Sequence, residues 1–178
     1  MNVYAGLAGF YLLRGGPDAL PAGVLPGPAP RLGDPKGTRY YEIPLAIQDR
    51  SFNRDGSLFY PRSRRFFDDF AGPYRPDSDV PPIWNPEFFG NTIIVNGKVW
   101  PNLDVDRGQY RFILYGGSNA RFYNLSLDVI NPSNKHKEIL PLVQIASDGG
   151  YLPKPVTLNN LTLAPGEGAI VLLDVLPG

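Results

Sequence analysis

Three observations predict an all-β fold, a two-sheet Greek-key β-sandwich. Twenty Gly and twenty Pro among 178 residues interrupt the chain too often for long helices. Ten Tyr and ten Phe, with many Val and Ile, suit half-buried strands. Short apolar runs also recur between turn dipeptides, among them Asn96-Gly97, Asp148-Gly149 and Pro165-Gly166. The length favours one domain, or one domain with appended pieces, and 43% hydrophobic content is enough for a core.

The strongest local signal lies at 91–101, Asn-Thr-Ile-Ile-Val-Asn-Gly-Lys-Val-Trp-Pro. Asn96-Gly97 readily takes the positive φ values of a type I′ turn, so a tight hairpin is expected. A hairpin alone is marginal, so Ile93, Val95, Val99 and Trp100 are expected to bury against further strands.

The remaining elements follow in chain order. Residues 3–13 form an apolar run in which Gly6 and Gly9 disfavour a helix, which predicts a strand. Residues 15–38 are dominated by Gly, Pro and Ala and read as a linker, because proline removes backbone donors. A strand is expected over about 40–48, where Tyr41, Ile43, Leu45 and Ile47 alternate, with Pro44 marking an edge or a bulge. Asp55-Gly56 predicts a second turn. Residues 61–90 are long, irregular and aromatic, and their aromatics are expected either to pack as a cover over the sandwich or to face a ligand. Further strands are expected over 109–114, 123–130, 139–146 and 169–175.

Charge and donor chemistry narrow the function. Lys plus Arg and Asp plus Glu both total 17, so no net field draws the protein to nucleic acid or an acidic membrane. The Arg62, Arg64, Arg65 group lacks a wider basic face. No apolar run approaches the ~20 residues needed to span a bilayer, and no signal peptide follows Met1. His136, the single histidine, stands between Lys135 and Lys137 and reads as a solvated turn residue. No Gly-x-Ser-x-Gly elbow accompanies it. The pairs Asp68/Asp69, Asp77/Asp79 and Asp104/Asp106 lack calcium-loop spacing, and the last flanks Val105 with the period of a strand facing water. Gly15-Gly16 and Gly149-Gly150 lack the lysine and helix of a phosphate loop.

Six ordered stretches carry a family resemblance: Asn2-Val-Tyr-Ala-Gly-Leu-Ala-Gly-Phe-Tyr, Asp49-Arg-Ser-Phe-Asn-Arg-Asp-Gly-Ser-Leu-Phe-Tyr, Thr92-Ile-Ile-Val-Asn-Gly-Lys-Val-Trp-Pro, Tyr110-Arg-Phe with Ser118-Asn-Ala-Arg-Phe-Tyr-Asn-Leu, Gln144-Ile-Ala-Ser-Asp-Gly-Gly and Leu163-Ala-Pro-Gly-Glu. Together they resemble the middle cupredoxin-like domain of multicopper oxidases, bacterial spore-coat laccases and bilirubin oxidases in particular. The resemblance implies that 1–14 corresponds to the last strand of a first cupredoxin domain, 15–38 to an interdomain linker, and 39–178 to a second, copper-free domain lacking its last strand. On that basis the strand over 5–13 is expected to fill the vacant slot, within the chain or exchanged in a strand-swapped homodimer.

The parent reaction implied is oxidation of phenolic substrates coupled to reduction of dioxygen by copper. Type 1 copper needs a thiolate and imidazoles, and this chain has no Cys and one His. The chain alone is therefore expected to hold no copper and not to be an oxidase, its partners being the copper-bearing cupredoxin domains. The resemblance also implies that Phe88 and Phe89, with Trp84, rim the substrate pocket. Some relatives carry a cysteine at the position of Phe89, and the disulfide it makes there is missing here. The alternative reading is a standalone module binding a small aromatic ligand through 61–90.

Overall fold

A computed structural model describes residues 2–15, 20–61, 87–130 and 135–175. After a single helical turn, α1 (Asn2–Ala5), come the strands β1 (Glu42–Arg50), β2 (Thr92–Val95), β3 (Lys98–Val99), β4 (Gly108–Gly116), β5 (Tyr123–Leu125), β6 (Leu127–Ile130), β7 (Lys137–Leu140), β8 (Leu142–Ser147), β9 (Gly150–Leu158), β10 (Leu161–Leu163) and β11 (Gly168–Val175). One sheet has the order β3-β2-β1-β4-β11-β8-β9, and β10-β5 and β6-β7 form two ribbons. Within the large sheet only β1 and β4 run parallel. The predicted all-β class is the class observed.

The period of two decides which side chains enter the core. On β11 the residues Ala169, Val171 and Leu173 are buried while their neighbours in sequence are not. They join Ile47 of β1 and Leu114 of β4 on the inner face, against Tyr123, Leu161 and Leu163 from the ribbons. Leu163 and Val171 are completely enclosed. Each such aliphatic side chain contributes roughly 1.5–3 kcal/mol by leaving water. The two layers bury a shared seam.

The 91–101 hairpin forms as expected. Asn96 and Gly97 have φ of 49° and 80°, the signs a type I′ turn requires. Asn96 also caps β1: its Oδ1 accepts the Ala46 N–H at 2.9 Å and its Nδ2 donates to the Pro44 carbonyl at 2.8 Å. This explains Pro44, which occupies an inner strand and not the expected edge. Pairing of β1 with β2 ends at Ile47↔Val95, so the missing Pro44 N–H falls beyond the reach of β2. The expected burial of Val99 and Trp100 is corrected. β3 is a two-residue edge strand, and these side chains are 52% and 64% exposed.

Several other boundaries shift for identifiable reasons. The run expected at 123–130 divides at Ser126 into β5 and β6, which pair with different ribbons. The run at 139–146 divides at Pro141 into β7 and β8. Each segment therefore crosses from one pairing to another, making a corner of the sandwich. Strand β9, for which no strand is expected above, contains Pro153 and Pro155, residues that argue against pairing. It is an edge strand, and both prolines lie where its register against β8 is interrupted. Asp104 and Asp106 lie in irregular chain and not in a strand, with Asp106 paired to Arg39 at 2.8 Å.

The N-terminal segment is the largest departure from expectation. Residues 6–15 pair with no strand among the described residues and follow the helical turn as an arm. The arm is held to the outer face of the large sheet by side chains. Phe10 packs on Tyr115 with centroids 5.8 Å apart, and Arg14 Nη1 donates to Glu42 at 3.1 Å. Leu7, Tyr11 and Leu13 remain exposed and so does Leu12 on the opposite parity, so the arm has no single buried face of the kind a sheet strand presents.

Candidate functional site

Asp49 occupies the same parity of β1 as Leu45 and Ile47, so its carboxylate is carried towards the interior. It is 2% exposed. A buried carboxylate needs donors, and two converge on Oδ2: the Gly90 N–H at 2.6 Å and Arg121 Nε at 2.9 Å. Arg121 Nη2 then donates to the Gly90 carbonyl at 2.8 Å. Both backbone groups of Gly90 are thereby clasped between an acid and a base. Residue 90 must be glycine for this approach, since a Cβ there would lie 2.4 Å from the Arg50 backbone nitrogen.

The turn after β4 completes the frame. The Asp49 N–H donates to Ser118 Oγ at 3.1 Å, and Ser118 Oγ lies 2.6 Å from the Tyr123 hydroxyl. Ser51 Oγ donates to Asn91 Oδ1 at 3.1 Å. Residues 87–91 are thus fixed to β1 on one side and to 117–123 on the other.

This frame separates the two adjacent phenylalanines. Phe88 is buried, with its ring 5.4 Å from Tyr4, 5.2 Å from Tyr60 and 6.0 Å from Phe59. Tyr4 is the keystone of that cluster. Its hydroxyl donates to the Phe59 carbonyl at 2.5 Å and accepts the Ser51 N–H at 2.9 Å. Burial raises the Tyr4, Tyr60 and Tyr123 phenols above their ordinary value, so all three are neutral at physiological pH. Phe89 points the other way, half exposed, with the Arg121 guanidinium 5.3 Å from its ring centroid. Trp84, the third residue expected here, lies outside the described residues.

Among the described residues, the site therefore presents the Phe89 ring beside a cation already engaged with Asp49. Sequence reasoning missed Asp49 and Arg121. The available signal was an acid sharing the strand parity of Ile43, Leu45 and Ile47, which implies burial and a required partner.

Metal-binding chemistry is a separate question. Among the described residues no three His, Cys, Asp or Glu side chains gather into a cluster. His136 is exposed beside Lys135, whose φ is 58°. A donor set of one imidazole and no thiolate does not fit a type 1 or multi-imidazole copper centre. Among the described residues no helix is long and apolar enough to cross a membrane.

No family model matches the chain. Among curated proteins, the laccase of Bacillus subtilis (strain 168) is 40% identical over 181 residues, which cover 98% of this chain and 28% of that protein. The multicopper oxidase LPR2 of Arabidopsis thaliana is 36% identical over 174 residues, 98% of this chain and 25% of its own length. Among solved structures, the McoA multicopper oxidase of the hyperthermophile Aquifex aeolicus aligns with a TM-score of 0.57 at 31% identity, over 75% of this chain and 24% of that one. The chain spans about a quarter of the length of these relatives.

Proposed function

The chain belongs to the multicopper oxidase family, and from that premise we propose that it is the middle, copper-free cupredoxin-like domain of a laccase-like oxidase, serving as a structural module between copper-bearing domains. The observation that carries this reading is the near-complete alignment of the chain with about a quarter of a laccase, combined with a donor set that cannot ligate type 1 copper. In this role the sandwich spaces and braces its neighbours. Copper supplied by them would perform the oxidation of phenolic substrates and the reduction of dioxygen.

Within that protein the clasped 87–91 segment rims the substrate pocket, with Phe88 as its buried anchor and Phe89 as the ring offered to substrate. The flanking reading frame tests the assignment. A His-x-His motif encoded upstream and a His-Cys-His motif downstream are expected, and flanks lacking both would remove it. In the intact oxidase, Phe89→Ala should raise KM for a phenol with little change in kcat, because a lost stacking surface weakens ground-state and transition-state binding alike.

A further inference from the structure

Beneath the arm lies a chamber of about 360 Å³, between residues 10–14 and the outer face of β4, β8 and β11. Its volume falls in the range of small-molecule sites, roughly 300–1,000 Å³. Phe10, Tyr115 and Tyr151 provide aromatic wall, and Arg14, Glu42 and Arg111 provide a polar one. Glu42 is completely buried and receives both guanidinium groups.

The polar wall has more donors than acceptors. Each guanidinium carries five N–H bonds. Glu42 takes Arg14 through both terminal nitrogens and Arg111 through Nη2. Arg111 also hydrogen-bonds the Tyr151 side chain, and its buried Nε has no acceptor among the described residues. The nearby carboxylate of Asp148 also lines the chamber, but its Oδ1 is held by the Gly168 N–H at 3.1 Å. Arg14, whose side chain is half exposed, spends one N–H of each terminal nitrogen on Glu42 and keeps its other donors for an incoming acceptor.

We propose that this chamber binds a small aromatic carboxylate, its ring against Phe10 and Tyr115 and its oxygens on the Arg14–Arg111 wall. The ring matches the apolar lining, and a carboxylate brings acceptors without adding donors. The site is distinct from the Phe89 surface and is formed by the arm together with the sheet. Isothermal titration of the chain with benzoate, alongside benzyl alcohol as the neutral analogue, tests it.

One benzoate per chain is expected, with benzyl alcohol at least about tenfold weaker, a difference of about 1.4 kcal/mol. Ile113→Phe, which fills the chamber from the sheet side, should abolish binding. Arg14→Gln should weaken it about tenfold, the scale of one lost charge-assisted hydrogen bond. The absence of saturable heat at millimolar benzoate overturns the proposal. So does equal affinity for benzyl alcohol, or binding weakened by Phe89→Ala and indifferent to Ile113→Phe.

Discussion

Phe88 and Phe89 are neighbours in opposite environments, one buried and one half exposed, and substitution should separate them. Removing the buried Phe88 ring leaves a cavity among Tyr4, Phe59 and Tyr60. Phe88→Ala should therefore cost about 3–5 kcal/mol in a urea unfolding experiment. Phe89→Ala should change stability by no more than about 0.5–1 kcal/mol, since the ring is half exposed and its cation contact is partly solvated. Equal costs would refute the division between anchor and presented ring. The buried tyrosines predict a pH response with a definite sign. Tyr4, Tyr60 and Tyr123 have folded-state values raised above the ordinary 10.0, so folding favours their neutral form. Their stabilisation is fully present below about pH 10, where the unfolded phenols ionise, and is lost as the pH climbs through the raised values. Urea midpoints should thus fall above about pH 10 while tyrosinate absorbance lags. A midpoint flat through that window would contradict the burial of these phenols.

The hairpin at 91–101 shows how far local chemistry reaches at the scale of an element. Its turn type was legible because Asn-Gly has few competing conformations. The side-chain cap from Asn96 to Pro44 and Ala46 was not, because it depends on β1 and the turn meeting across 50 positions of sequence. Asn96→Ala should cost about 1–2 kcal/mol through two lost hydrogen bonds and a positive φ. Asn96→Gly, which keeps the backbone permissive, isolates the side-chain share, and equal stability of Asn96→Gly and the unmodified chain would exclude the cap. The arm marks the limit of periodicity as a guide. Residues 3–13 have the composition of a strand, yet Tyr4, Phe10 and Arg14 bind by side chains to partners between 28 and 105 positions away. Removal of 2–14 leaves the Phe88 ring without Tyr4 and Glu42 with one guanidinium in place of two. Loss of several kcal/mol, or aggregation during refolding, is expected from the uncovered apolar surface and the underpaired buried charge. An unchanged unfolding midpoint would show that the arm is not part of the folded unit.

For the whole molecule, the all-β class and the alternation of Tyr41, Ile43, Leu45 and Ile47 leading into β1 are readable from the sequence, because a half-buried sheet imposes a period of two wherever it faces a core. Less legible were the clasps, Asp49 with Arg121 and Glu42 with Arg14 and Arg111, whose partners come from distant strands and the arm. The sandwich is nonetheless consistent at each level. The central claim is that it contributes no copper ligation to the oxidase family to which it belongs. Quantitation of copper after the isolated chain is incubated with excess copper and then dialysed against a mild chelator tests this most directly. The account predicts far less than one copper per chain and no blue thiolate absorption. One tightly retained copper per chain would contradict it.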